Sequence, residues 1–206
     1  MEKLGLDFYS GKDVVLLAKQ LIGKILVTDF DGSQTSGRIV ETEAYNGVID
    51  KASHAFGGRH TNRTKVMYMP GGTAYVYLCY GIHHLFNVVT NQENVPHAVL
   101  VRALEPLQGI EKMLERTGKT KLDHTLTKGP GNVSRAMGIA TSHSSLSLTG
   151  NHIYILDDGF SYKTEDIIAS PRIGVDYAAE DAALPYRFYV AGNKNVSGKN
   201  KRSLHS

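Results

Sequence analysis

Tryptophan is absent from this 206-residue chain, cysteine occurs once and proline six times. The lone thiol, Cys79, excludes an internal disulfide and leaves an iron–sulfur cluster or a cysteine-rich zinc site without ligands. No apolar run is long enough to span a bilayer, which excludes an integral membrane protein. The opening Met-Glu-Lys-Leu-Gly-Leu-Asp lacks the apolar centre of a signal peptide, so the expected compartment is the cytoplasm. An excess of either charge is also missing. Twenty-three Lys and Arg against 20 Asp and Glu leave a formal net charge of +3, so any affinity for nucleic acid must come from local placement.

What remains is ordinary globular material, 41% hydrophobic and 21% charged, which excludes a wholly disordered or coiled-coil chain. The length suits one domain that can bury its own core without metal or disulfide. Apolar spacing predicts a helix over 10–23, with Ser10 as N-cap and Gly23 as C-cap. Strands are predicted over 24–30 and 37–45, joined through Asp31-Gly32, a hairpin signal. The connection 46–73 is rich in Gly, Asn, His and Thr and carries Arg59, Arg63 and Lys65; loops of that length are usually functional or disordered. A second hairpin, 74–80 and 82–90, turns at Gly81, and a strand follows over 97–104. Helices are predicted over 107–117 and from Lys128-Gly-Pro-Gly-Asn to Ile139, then short strands near 153–156, 172–175 and 186–190. Without regular βαβ alternation, the pattern is α+β: a single compact domain with a curved, mainly antiparallel sheet, flanking helices and a protruding hairpin. It ends near 192, and 193–206 reads as a basic, solvated tail.

Three clusters could carry chemistry. In 37–45, strand alternation places Ile39, Glu41, Glu43 and Tyr45 on one face. Spacing alone favours an exposed Glu pair on a half-buried strand, because Glu is rarely buried; the alternative is a pocket carboxylate suited to acid–base work. In 67–81, four of the eleven tyrosines are concentrated. The β-propensity of Tyr explains Tyr75, whereas Tyr80, beside Gly81 at the apparent tip, is equally suited to wedging between stacked bases. Asn87 and Arg102 lie inside apolar strands, sharing parity with Leu85 and Val89 and with Leu100 and Leu104. A buried Arg102 needs an acid, and Glu43, Glu105 or an aspartate elsewhere could serve, with or without chemistry. Nine histidines include no HExxH, and His83-His84 point to opposite strand faces, so no metal is expected. His54 alone reads as a generic loop histidine. Lys128-Gly-Pro-Gly-Asn is either a phosphate-holding helix start or a plain helix-entry turn.

Together the segments GRIVETEAY (37–45), SHAFGGRHTNR (53–63), PGGTAYVYLCYG (70–81), VLVRALEPLQG (99–109), 129–139 and 171–192 ending PYRFYVAG cover nearly the whole chain. They resemble the alkyladenine (3-methyladenine) DNA glycosylases, which excise alkylated and deaminated purines from DNA. The resemblance implies that Glu43 is the general base for the hydrolytic water. Arg102 would help hold that water, with a backbone carbonyl near Ile173. Tyr45, His54 and Tyr77 would sandwich the flipped base, Asn87 would crowd the amine of normal guanine, and Tyr80 would fill the gap in the duplex. Ile82, His83 and His84 depart from better-studied members and bear on lesion preference. The implied partner is double-stranded DNA with a damaged purine, met by a monomer that is nucleoid-associated if prokaryotic and uses no cofactor. No lysine lies in ETEAY or YVYLCYG, so no Schiff-base lyase step is implied. Two carboxylates would also suit a glycoside or nucleoside hydrolase, and a Tyr hairpin a non-catalytic nucleic-acid-binding module.

Overall fold

The computed structural model describes residues 1–198. Its elements are β1 (Glu2–Lys3), α1 (Leu6–Tyr9), α2 (Val14–Gln20), β2 (Ile25–Phe30), β3 (Ser33–Tyr45), β4 (Ala74–Cys79), β5 (His83–Thr90), β6 (His97–Gln108), α3 (Ile110–Thr117), α4 (Pro130–Met137), β7 (Ile153–Asp157), β8 (Ile167–Ser170) and β9 (Arg187–Val190). All strand pairs are antiparallel, in the order β1-β7-β2-β3-β6-β5-β4, with β9 added to β3 and β8 to β9. The α+β expectation holds. No helix among the described residues is long and apolar enough to cross a membrane.

Local chemistry sets several boundaries differently from the expectation. The helix predicted over 10–23 is split in two. Ser10 closes α1, while the Asp13 carboxylate accepts the N–H groups of Val15 and Leu16 and caps α2. Asp satisfies two otherwise orphaned donors there, a stronger start signal than Ser10. Gly23, at φ 92°, lies beyond the helix and donates to the Ile39 carbonyl at 2.8 Å, turning the chain into the sheet. The first hairpin is tighter than predicted. Phe30 pairs with Ser33 across Asp31 and Gly32, both at positive φ, as a two-residue turn of primed type requires. β6 runs on to Gln108, so α3 starts at Ile110 rather than 107, after Gly109 in the left-handed region. A Cβ at Gly109 would collide with the Gln34 carbonyl. The Lys128 segment is a helix-entry turn, with Pro130 opening α4 and Asn132 donating back to the Lys128 carbonyl at 2.9 Å. No strand forms over 172–175. The short strand lies earlier, at β8, and Arg172 is drawn instead into a buried ion pair.

Period-two alternation sorts the sheet. Ala74, Val76, Phe86, Val88, Val99 and Val101 join the main core with α2 and α4 residues, and Tyr75, Val89 and Ala98 pack into a smaller cluster on the other side with Ala55, Val66 and Met67. Three register shifts interrupt the β3–β6 ladder, one at Ser36/Gly37 and two beside the glutamates. Ile39 pairs with Leu104, Glu41 with Ala103 and Thr42 with Val101, so Val40 and then Arg102 are the extra residues. This corrects the parity expectation: Ile39 and Leu104 turn into the main core, and only Glu41, Glu43 and Tyr45 of the predicted face stay on the other side with Leu100 and Arg102. Bulges beside a site commonly re-aim side chains in this way. The predicted end at 192 also moves. Val196 and Ser197 are buried, so the chain stays packed through that point, while 199–206 lie outside the described residues.

Candidate active site

A cavity of about 450 Å³ opens on the face of the sheet opposite the main core, within the range of small-molecule sites. Tyr45 from β3, Tyr77 from β4, Asn87 from β5, Arg102 from β6, His54 and Ile173 from loops, and Tyr80 at its edge all border it. The residues singled out in the sequence are thus gathered at one place, and Glu43 is hydrogen-bonded to three of them.

Glu43 is fully buried. Its Oε2 accepts the Tyr45 hydroxyl at 2.9 Å and Arg102 Nη1 at 3.2 Å, and its Oε1 accepts the Ile173 backbone N–H at 2.7 Å. The exposed-pair reading of the two glutamates fails, because buried carboxylates are tolerated when charge and hydrogen bonds meet them. The partner of Arg102 is more than Glu43. Its Nε reaches Glu41 Oε1 at 3.0 Å and its Nη2 the Ser197 hydroxyl at 3.1 Å, whereas Glu105 takes hydrogen bonds from Tyr162 and Asn193 instead. Ile173 faces Glu43 with its N–H. Burial, then the negative charge of Glu43, pushes the Tyr45 hydroxyl well above the ordinary phenol value, so it stays a donor.

His54 has no generic loop role. Its ring meets Tyr77 edge-on at 4.6 Å, its Nδ1 lies 2.9 Å from the Tyr75 hydroxyl and its Nε2 3.2 Å from Arg63 Nη2. A guanidinium only donates, so Nε2 accepts and the ring proton sits on Nδ1, donating to Tyr75. Burial and the Arg63 charge lower the imidazole pKa to about 4, so the ring is neutral at pH 7. Desolvation also raises the Tyr77 hydroxyl above its ordinary range. Arg63 lies 4.8 Å over the Tyr77 ring, a cation–π contact inside the cavity. Asn87 spends both amide hydrogens on the Tyr75 and Leu85 carbonyls, at 3.2 and 3.3 Å, which leaves its Oδ1 as the free group. At the hairpin tip Tyr80 is 91% exposed with φ 51°, and Leu78 and Ile82 flank it, also exposed. His84 is tied back to the Thr141 N–H at 3.2 Å, away from the tip.

Over residues 7–194 the sequence matches the family model for methylpurine-DNA glycosylase. The chain belongs to that family. Provisionally named 3-methyladenine DNA glycosylases are among its relatives: 46% identical in Clostridium acetobutylicum, with 95% of this chain and 97% of that protein covered, and 48% in Chlamydia felis, with 89% and 94% covered. The relative of that name from Clostridium perfringens is 42% identical over 96% of this chain and all of its own length.

Sequence reasoning missed much of what holds the family site together. Glu41, Arg187 and Ser197 form a buried network behind Arg102. Arg172 pairs with Asp50 at 2.5 Å and donates to the Ala44 carbonyl, its guanidinium 4.9 Å from the Tyr45 ring. The parity of Glu41 with Glu43 was a usable signal. Nothing local marks Asp50 as the partner of a residue 122 positions away. Among the described residues no three His, Cys, Asp or Glu side chains converge as a metal site.

Proposed function

We propose that the protein is a DNA repair glycosylase. It flips an alkylated or deaminated purine, of the 3-methyladenine, 7-methylguanine and hypoxanthine class, out of duplex DNA, then hydrolyses the N-glycosidic bond with a water activated by Glu43. The observation that carries this is a buried carboxylate held by three donors, Tyr45, Arg102 and Ile173, that themselves line an aromatic cavity. A base stacked in a duplex is out of reach, so it must be extruded into such a pocket. A carboxylate offers about four acceptor positions, and with three occupied the fourth, on Oε1 beside Ile173, is the one left for the hydrolytic water.

In the reaction the C1′–N bond breaks and its electron pair leaves with the purine. The water oxygen joins C1′ of the oxocarbenium-like sugar, and its proton passes to Glu43. Arg102 holds that carboxylate in place for both the charge stabilisation and the proton transfer. Cationic bases leave as neutral purines, and hypoxanthine takes up a proton as it departs. The Tyr45 and Tyr77 rings attract a cationic purine by ~0.5–2 kcal/mol, set against the Arg63 charge over Tyr77, and neutral His54 adds no further positive charge. Asn87 Oδ1 crowds the guanine amine. Tyr80, exposed at the tip, occupies the vacated stack. No lysine lines the cavity among the described residues, which supports a hydrolytic reaction that ends at the abasic site.

The test is a labelled duplex with one hypoxanthine, incubated with protein and then treated with alkali. Strand scission at the lesion reports base removal. Glu43→Gln keeps the size and the hydrogen bonds to Tyr45 and Arg102 possible, and should slow excision ~10²–10⁴-fold with lesion binding retained. Turnover near that of the native protein would reject Glu43 as the base.

A further inference from the structure

The segment after Gly192 looks like a solvated tail in sequence, yet residues 197 and 198 pack against both sides of the Glu43 site. The Ser197 N–H donates to Glu41 Oε2 at 2.7 Å and its hydroxyl lies 2.9 Å from Glu41 Oε1. The same hydroxyl accepts Arg102 Nη2 at 3.1 Å, and the Ser197 carbonyl accepts Arg187 Nη2 at 2.6 Å. Glu41 in turn receives Arg102 Nε and Arg187 Nε. Two guanidinium groups and one carboxylate therefore converge on a single serine, and among the described residues Arg102 Nη1 links them to Glu43. The second contact is independent. Gly198, at φ 65°, lies so close to Ile173 that a Cβ there would stand 2.6 Å from Ile173 Cδ1. Ile173 supplies the backbone donor to Glu43 Oε1. Val196, buried in the main core, anchors the segment between these contacts and the sheet.

We propose that residues 193–198 form a positioning strap for the catalytic carboxylate. Ser197 clamps Glu41, which fixes the angle at which Arg102 meets Glu43, and Gly198 backs the Ile173 loop that holds the opposite oxygen. The proposal rests on Glu43 being the base. None of residues 193–198 lines the cavity, so the strap acts through Arg102 and Ile173, which do. A hydrogen-bonded guanidinium has five N–H groups in a fixed plane, so pinning Nε and Nη2 determines where Nη1 points. If Ser197 is lost, Arg102 keeps its charge but gains freedom to pivot away from Glu43, which weakens preorganisation rather than lesion affinity.

The experiment measures single-turnover excision of hypoxanthine at saturating protein, beside the Kd for the same duplex, with full-length variants. Ser197→Ala removes the hydroxyl and keeps the backbone donor. It should slow excision about 5- to 30-fold, the equivalent of one or two hydrogen bonds of ordinary net strength, with Kd changed less than twofold. In a Glu43→Gln background the same change should add almost nothing, because the strap works through that carboxylate. An unchanged rate for Ser197→Ala overturns the proposal. So does an equal fold-loss in both backgrounds, which would mark a merely structural role. If Ser197→Ala does not yield folded protein, Gly198→Ala, which strains the left-handed backbone at that position and pushes the flexible end of Ile173, is read by the same criteria. Normal turnover by Glu43→Gln itself would defeat the base assignment instead, and is distinguishable because it is read in the single variant.

Discussion

Replacing Tyr80 separates two things that its geometry combines. The residue holds φ 51° while remaining 91% exposed, so nothing buried compensates the left-handed backbone. That conformation costs roughly 1–2 kcal/mol for a residue with a Cβ. Tyr80→Gly removes the cost but gives the unfolded chain more freedom, worth about 0.4–1 kcal/mol in the other direction. The net expectation is a gain of about 0.5–1 kcal/mol, or about 2 °C in Tm for a chain of this size. Tyr80→Ala keeps the strained backbone and loses only exposed ring, so its stability should stay within about 0.5 kcal/mol of the native protein. Both variants lack the ring, and both should bind a hypoxanthine duplex ~5- to 150-fold more weakly, as expected when a stacking platform worth ~1–3 kcal/mol is deleted. Urea or thermal unfolding gives the first comparison and fluorescence anisotropy the second. Equal stability of the Gly and Ala variants would refute stored strain at the tip. Native affinity in both would refute the wedge.

Two further predictions concern the groups around the cavity. Asp50→Asn leaves the fully buried Arg172 guanidinium without its counter-charge, and should cost about 3–5 kcal/mol, read as a Tm lowered by roughly 10 °C. A fall of only a degree or two would mean that water reaches the pair. For His54 the folded pKa, about 4, is below the unfolded value, so the unfolded chain binds more protons between those values and stability falls as pH drops from about 6.5 toward 4. Between pH 7.5 and 5 this residue alone should remove up to about 2 kcal/mol in urea unfolding, a loss absent in His54→Asn. Parallel pH curves for the two proteins would show that the imidazole is not buried as described.

Element existence was largely legible because it depends on near neighbours. Asp31-Gly32 makes its own turn, Pro130 and Gly138 bracket α4, and alternating apolar residues mark β4, β5 and β6 whatever they pack against. Boundaries shifted where a side chain won a local competition, as Asp13 did over Ser10, or where pairing extended a strand, as in β6. The missing strand at 172–175 has a long-range cause. Arg172 is held by Asp50, Ala44 and Asp181, and no property of the neighbouring residues reveals that.

The residues of the candidate site followed a similar division. ETEAY and the Tyr-rich hairpin, by composition and spacing, determined which residues could carry chemistry and which family they belong to, since those features are local and survive folding unchanged. Only the tertiary structure decided that Glu41 and Glu43 are buried, that two bulges turn Arg102 toward both, and that Ser197 closes the network from the far end of the chain. The reason is that charges in a low-dielectric interior must be met by partners at hydrogen-bond distance, and such partners are chosen by proximity in space rather than along the chain.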